Sequence, residues 1–345
     1  MSKDHFSKRL QQGPVYIIAE AGLNHNGSVA IAKQMIDVAH KAGADGVKFQ
    51  KRTVDTLAVK EVLDAPDDRF PEFGKTYRQV REHIEFGREE YMELQAYCKE
   101  LGIDFLCTAF DPQAVDFLQA LDLQIYKLAS HSLTNLELLD YLARLQKPVI
   151  LSTGMAQWDE IDRAVAIFKN ADTPLFLLHC VSAYPTPIDQ HNLAMLDKLT
   201  QRYNIPVGYS GHEIGFQPTL AAVARGACIV ERHYTLDKSM VGFDHKMSLD
   251  PQELIAMVEN IRAVESMIGD GEKMVSKQEM ITRNKYHVSM ASAQNLPAGS
   301  VLTKEMITWR NPGIGIPSKD ADKWLGKTLA QEVAMDVLIT PEMFE

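Results

Sequence analysis

Two histidines, His212 in "VGYSGHEIG" (207–215) and His233 in "IVERHYTLDKS" (229–239), each close a short apolar run of strand-like composition. Two neutral imidazoles at the ends of neighbouring strands suit Mn, Fe, Co or Zn, with water or substrate completing the shell. Such an ion polarises a carbonyl as a Lewis acid. A lone histidine is more often a hydrogen-bonded core residue; the pairing is what favours a metal here. Lys48 in "GVKFQ" and Lys127 in "IYKLAS" are likewise embedded in apolar runs. A buried ammonium is costly without a partner. With Thr108, Ser130, Ser152 and Ser210 the two lysines would form a cradle for phosphate and carboxylate groups. Glu20 ends another apolar run, which points to a general base or a substrate ligand.

Other polar residues carry two readings each. Asn24, His25 and Asn26 in "AGLNHNG" are turn formers and caps, or site residues. Tyr184 in "SAYPTP" packs on Pro185 and Pro187, or faces a ligand. Arg310 in "TWRNPGIG" is a solvated charge in a Gly/Pro loop, or a contact. Asp244 and His245 form a polar turn, and His131 in "LASHS" has no decided role. The four cysteines, Cys98, Cys107, Cys180 and Cys228, read as packing residues.

Something must position these groups. Eight strand-like runs recur: Val15–Glu20, Gly46–Gln50, Asp104–Thr108, Ile125–Leu128, Val149–Ser152, Leu175–Cys180, Val207–Ser210 and Ile229–His233. Helical patterns separate them, as at 29–41 (Ile31, Met35, Val38) and 158–168 (Trp158, Ile161, Val165, Phe168). This alternation predicts an α/β fold, a closed TIM (β/α)8 barrel, with an open doubly wound sheet as the alternative. A barrel keeps its active site at the C-terminal ends of its strands. Those ends read Glu20, Lys48 with Gln50, Thr108, Lys127, Ser152, His179, Ser210 with His212, and His233. One connection, 51–87, is too long for a simple loop and is expected to lie over that face as a lid. Beyond Lys277 the pattern changes to short strands and Pro/Gly turns. "VLTKEMI" (301–307) echoes "LITPEMF" (338–344) at an offset of 37 residues, which predicts a small pseudo-symmetric β-rich module.

Composition narrows the class. The 345 residues give ample material for a large core, and 36 Lys+Arg against 46 Asp+Glu leave a net charge of −10. That charge argues against nucleic acid or an anionic membrane as the partner. No run approaches the roughly 20 apolar residues of a membrane span. The N-terminus lacks the apolar stretch of a signal peptide, and no cysteines form a CxxC pair, so a reducing, cytoplasmic location is expected.

Taken together, "IIAEAGLNHNG", "GVKFQ", "YKLAS", "ILSTGM", "LHCVSAYPTP", "VGYSGHE", "ERHYTLDK" and "GFDHKMSLDP" resemble the sialic acid synthase family. The tail resembles that family's C-terminal antifreeze-like (SAF) domain, and the match runs in order over nearly the whole chain. The resemblance implies a catalytic barrel over 1–276, a linker over 277–286 and an antifreeze-like domain over 287–345, in a domain-swapped homodimer. It implies condensation of phosphoenolpyruvate with N-acetylmannosamine or a close derivative, giving an N-acetylneuraminate-type 2-keto acid and phosphate. His212 and His233 are implied to hold Mn2+ or Mg2+. Lys48, Thr108, Lys127, Ser130, Ser152 and Ser210 are implied to hold phosphoenolpyruvate, and Gln50, Tyr184 and Asp244 to face the sugar. Arg310 is implied to reach the sugar's acyl group from the partner's antifreeze-like domain, and Glu20 to orient or deprotonate the attacking water.

The chain departs from the family pattern in places. Bacterial members read "GSGE" after the strand-four lysine, whereas this chain has Ala129-Ser130-His131-Ser132. The carboxylate is missing at Ser132, and His131 is the nearby substitute. "GKTYRQVREHIEF" (74–86) resembles the animal branch, which uses the sugar 6-phosphate; there Lys75, Arg78 and Arg81 either bind phosphate or decorate a helix. Arg310 and its loop resemble the bacterial branch, which uses the free sugar, and the free sugar is the expectation. The competing classes are a 9-phosphate synthase, a phosphoenolpyruvate aldol condenser acting on a pentose or tetrose phosphate, and a non-catalytic sugar-binding protein.

Overall fold

The computed structural model describes residues 8–10 and 13–345. The chain divides into two compact units, Met1–Gly269 and Asp270–Glu345.

Eight parallel strands of the first unit close into a barrel in sequence order. They are β1 (Tyr16–Gly22), β2 (Gly46–Lys51), β3 (Asp104–Ala109), β4 (Tyr126–Leu128), β5 (Val149–Ser152), β6 (Leu175–Cys180), β7 (Val207–Gly211) and β8 (Ile229–His233). Closure is made by β8 pairing back onto β1, from Tyr16 with Ile229 to Glu20 with His233. That pairing rules out the open sheet. Helices follow the strands and begin where the sequence offers caps. Ser28 accepts the Ile31 N–H, Asp111 accepts the Ala114 N–H, and Asp250 and Glu253 form a reciprocal capping box.

Successive strand side chains point to opposite faces, and the two faces have different cores. Ile17, Ala19, Val47, Phe49, Leu151 and Val230 pack outward against the helices. Tyr16, Ile18, Leu106, Ile150, Phe176, Leu178 and Ile229 fill the barrel interior. One or two steps further along each strand, the same inward parity delivers Glu20, Lys48, Thr108, Ser152, Glu231 and His233 to the mouth. The apolar interior therefore acts as the floor on which the polar layer rests.

The segment 51–87 is structured. It holds a 3-10 turn at Val54–Thr56 and helices at Lys60–Leu63 and Tyr77–Ile84, the latter capped by Thr76 and burying Val80 and Ile84. Asp111 anchors its start, taking the Thr53 N–H at 2.7 Å and the Thr53 hydroxyl at 2.8 Å.

In the second unit, residues 277–286, expected as a linker, form a helix, Lys277–Tyr286, with a Ser276–Glu279 capping box. Then β9 (Ser289–Ser292) pairs antiparallel with β10 (Ile307–Arg310) over a core that includes Met290, Leu302, Leu329 and Ile339. The sequence echo is structural: 3-10 turns occur at Lys304–Met306 and Pro341–Met343, the same 37 residues apart. Among the described residues no helix is long and apolar enough to cross a membrane.

Candidate active site

The inward-facing polar residues meet in a cavity of about 310 Å³ at the barrel mouth. Glu20, Lys48, Gln50, Thr108, Lys127 and Ser130 line it, as do Ser152, Tyr184, Ser210, His212, His233 and Asp244. These are the sequence-predicted residues of the first unit. Arg310 belongs to the second unit, where it is exposed at the end of β10 and paired with Asp336 at 3.0 Å.

The two lysine amines are buried beside a shared carboxylate framework. Lys48 Nζ lies 2.7 Å from Glu20 Oε2 and 3.6 Å from Glu231 Oε2, and donates to Thr108 Oγ1 at 2.8 Å. Burial opposes its charge, but the Glu20 and Glu231 carboxylates outweigh it and raise its pKa. Lys127 Nζ donates to Ser152 Oγ at 2.8 Å and lies 3.5 Å from Glu231 Oε1. Its pKa is lowered by burial, which Glu231 offsets only in part and Lys48 reinforces. Burial would raise Glu231, but Lys127 and Lys48 override it and hold the carboxylate at about 2. Ser210 Oγ donates to the same carboxylate at 3.1 Å. Breaking one partner out of such a buried set costs roughly 3–5 kcal/mol.

Beside Lys127 lies a cradle of small groups. The Gly154 N–H donates to Ser130 Oγ at 3.0 Å. A Cβ at Gly154 would come within 2.4 Å of Ser182 Oγ and 2.8 Å of Ser130 Oγ, so only glycine lets the backbone approach this closely. An N–H, hydroxyls and an ammonium at one place make an anion site.

The two imidazoles face each other with ring centres 5.7 Å apart. His212 donates Nδ1–H to Val181 O at 2.9 Å, so in the neutral ring the lone pair sits on Nε2; burial opposes its charge, but Cys180 and the Val181 carbonyl outweigh it and raise its pKa. Burial lowers the pKa of His233 and keeps it neutral. Its Nδ1 has no hydrogen-bond partner, and the nearest carboxylate oxygen, Asp244 Oδ2, is at 3.8 Å. These are fitting donors for a divalent cation. Among the described residues no group of three or more His, Cys, Asp or Glu is gathered to hold one, so substrate and water oxygens would complete the shell. The Tyr184 ring lies against His212 at 4.1 Å and remains half exposed.

Several cavity residues escaped the sequence reading. Glu231 is central, and its signal was its parity: two residues before His233 on one strand, it must share that face. His179, expected at the mouth, points the other way and bonds His191 O at 2.7 Å. Cys180 takes its place in the cavity, so this cysteine is more than packing. Strand β6 is buried throughout and gives no alternation from which to read a face. His131 lines the cavity, stacked on Phe110 at 4.8 Å, whereas Ser132 is buried. Asn24 is structural: its side chain donates to Tyr234 O at 2.8 Å and Ser248 Oγ at 2.9 Å. Arg52 and Arg81 also line the cavity.

Residues 35–273 match the NeuB family, and residues 288–345 match the SAF domain. The chain is 36% identical to N-acetylneuraminate-9-phosphate synthase of Homo sapiens, over 97% of this chain and 94% of that protein. It is 38% identical to N,N'-diacetyllegionaminic acid synthase of Campylobacter jejuni, over 94% of this chain and 98% of that one. Among solved structures it resembles the N-acetylneuraminic acid (sialic acid) synthetase of Leptospira borgpetersenii in complex with citrate. The TM-score there is 0.68 and the identity 37%, covering 78% of this chain and 91% of that one.

Proposed function

Because the chain belongs to the NeuB family, carrying its SAF domain and matching its synthases nearly end to end, we propose that it condenses phosphoenolpyruvate with N-acetylmannosamine or a close derivative. The products are an N-acetylneuraminate-type 2-keto acid and inorganic phosphate. The observation that carries this reading is convergence: both buried lysines, both histidines and Glu20 open onto one cavity.

Lys127, Ser152 and the Gly154–Ser130 cradle hold the phosphate, and Lys48 with Thr108 neutralises the carboxylate. Fixing both ends of phosphoenolpyruvate presents one face of its C3 to the sugar aldehyde. His212 and His233 would hold Mn2+ or Mg2+, which supplies electrophilic polarisation of the aldehyde oxygen. C3 bonds to the aldehyde carbon, a water oxygen bonds to C2, and the C2–O bond to phosphate breaks with its electron pair leaving on phosphate. Of the two water protons, one ends on the former aldehyde oxygen and one on phosphate. Glu20, held at 2.6 Å by the Gln50 amide and at 2.7 Å by Lys48, is the base that orients that water. Glu231 supplies the negative charge that faces both lysine amines, at 3.6 Å from Lys48 and 3.5 Å from Lys127. Gln50, Tyr184 and Asp244 face the sugar. The reading includes a homodimer in which Arg310 of one chain serves the other's sugar.

The test is turnover with phosphoenolpyruvate, Mn2+ and each candidate sugar. Phosphate and the 2-keto acid are expected in equal amounts. Sugar binding without phosphate release from any sugar would instead make the protein a non-catalytic binder.

A further inference from the structure

Behind the two histidines lies a buried ion pair that the reaction does not touch. Arg232 precedes His233 and takes the opposite face of β8; Glu213 follows His212 and meets it there. Arg232 is 1% exposed and Glu213 2%, and Arg232 Nη1 lies 2.7 Å from Glu213 Oε1. Arg232 Nη1 also donates to Thr219 Oγ1 at 2.9 Å, and its Nη2 donates to Glu213 O and Gly215 O, each at 2.8 Å. The carboxylate accepts in turn from the Thr219 hydroxyl at 2.7 Å and the Tyr209 hydroxyl at 3.0 Å. Arg232 Nε is the one polar side-chain atom of the pair without a partner.

The backbone ladder stops short of the place where this pair acts. Strands β7 and β8 pair as far as Gly211 with Arg232, and β7 ends there, one residue before His212. His233 is fixed from its other side: β8 pairs with β1 through Glu20 and His233, and the Leu249 N–H donates to His233 O at 2.9 Å. His212 is held from the loop after β6, by the Thr186 N–H on its carbonyl at 3.0 Å and by the Val181 carbonyl on its ring at 2.9 Å. Arg232 bridges the gap between them. From β8 it grips the carboxylate and two backbone carbonyls of the segment that follows His212. A Cβ at Gly211 would come within 2.4 Å of Glu213 Oε2 and 2.9 Å of Arg232 Cδ, so glycine lets the pair close over the strand end. Desolvating two ions makes such a pair a poor source of net stability, whereas its directional hydrogen bonds define a geometry.

We infer that Arg232 and Glu213 are positioning residues for the metal: by tying the segment after β7 to β8, they set the separation and orientation of the His212 and His233 imidazoles. This rests on the metal reading of the two histidines proposed above. The lysines that hold phosphoenolpyruvate stand on β2 and β4, outside this tie. Loosening it therefore acts on the metal and spares the phosphoenolpyruvate site.

The experiment measures two dissociation constants on the full-length protein: that of Mn2+, from the loss of the free-ion EPR signal, and that of phosphoenolpyruvate, by titration calorimetry without metal. Arg232→Met/Glu213→Leu removes both charges together and leaves neither ion buried alone. It should weaken Mn2+ binding roughly ten- to a hundredfold, as loss of a group that orients metal ligands does, and leave phosphoenolpyruvate within about twofold. Glu213→Gln keeps the acceptor for Arg232 and should hold Mn2+ within about threefold of the wild type. Asp45→Asn, at the opposite end of the barrel, should leave Mn2+ binding unchanged. Wild-type Mn2+ affinity in the double variant, or an equal loss of phosphoenolpyruvate, overturns the inference. So does a Glu213→Gln loss as large as the double variant's, which would assign the effect to charge. Where the double variant fails to fold, Arg232→Lys decides. It keeps the charge but cannot reach the carboxylate and both carbonyls at once, so weaker Mn2+ binding with phosphoenolpyruvate unchanged supports the tie, and wild-type affinity overturns it. Mn2+ binding that survives His212→Ala unchanged overturns the metal reading itself.

Discussion

The two ends of the barrel bury polar groups in opposite ways. At the N-terminal floor, the Tyr16 hydroxyl meets Asp104 at 2.8 Å, and Asp45 accepts the Ile17 N–H at 2.8 Å. Asp45 also takes Arg9 and, at 3.2 Å, Arg262, which bonds Glu265 at 3.0 Å. None of these side chains leaves a buried atom unpartnered. At the C-terminal mouth, Glu231 Oε2, His233 Nδ1, Arg52 Nη1 and Arg81 Nε and Nη1 all lack hydrogen-bond partners. The floor's polar groups answer one another and act as clamps between strands and helices. Those of the mouth are held in place by the fold but left open on the cavity side. A closed polar network adds stability, and an open one holds capacity for a ligand.

The sharpest way to break this contrast is to empty one position at each end. His212→Ala and His233→Ala should each lose bound metal and reduce kcat/KM roughly a thousandfold or more. Their unfolding midpoints should stay near that of the wild type, because His233 Nδ1 has no hydrogen-bond partner and the His212 ring bonds a single carbonyl, that of Val181. A large drop in stability in either variant would place the histidines with the floor. Asp45→Asn should do the reverse. Denaturant unfolding should show a loss of about 3 kcal/mol, with kcat/KM of the folded protein unchanged. A catalytic defect there would show that the ends are not independent.

A smaller effect tests the cradle. Gly154→Ala should raise KM for phosphoenolpyruvate about tenfold, since its Cβ would crowd Ser182 and Ser130. An equal rise for the sugar would misplace the phosphate. The smallest effect concerns a mouth-side histidine that is structural. His25 is buried, stacked on Phe86 at 4.2 Å, and burial lowers its pKa to about 3. The folded state disfavours its proton, so its contribution to stability is complete above the unfolded value near 6.5 and declines as pH falls toward 3. Urea unfolding between pH 7 and 5 should show this acid-side slope, at most about 1.4 kcal/mol per unit, and His25→Gln should flatten it. An unchanged slope would mean that other groups set the acid response.

The same contrast explains what was legible in the sequence. The eight strands, and Lys48, Lys127, His212 and His233 at the mouth, were readable because a charged or imidazole side chain inside an apolar run has few explanations. Glu231 was readable in principle, since "IVERH" alternates. Strand six was not: "LFLLHC" is apolar on both faces, so His179 and Cys180 could be told apart only by register with neighbouring strands. Arg52 and Arg81 were hidden for another reason. They meet because the segment 51–87 folds back over the mouth, a long-range event that periodicity does not record. In "YRQVREHI", Arg78 and Arg81 look alike in sequence and differ only in the partners the fold gives them.

The most direct measurement is a crystal structure with Mn2+ and phosphoenolpyruvate, with the metal located by anomalous scattering. The account predicts one manganese peak in contact with both His212 and His233, and phosphoenolpyruvate lying against Lys48 and Lys127 in the same cavity. Manganese bound away from either imidazole, or phosphoenolpyruvate seated away from both lysines, would contradict it.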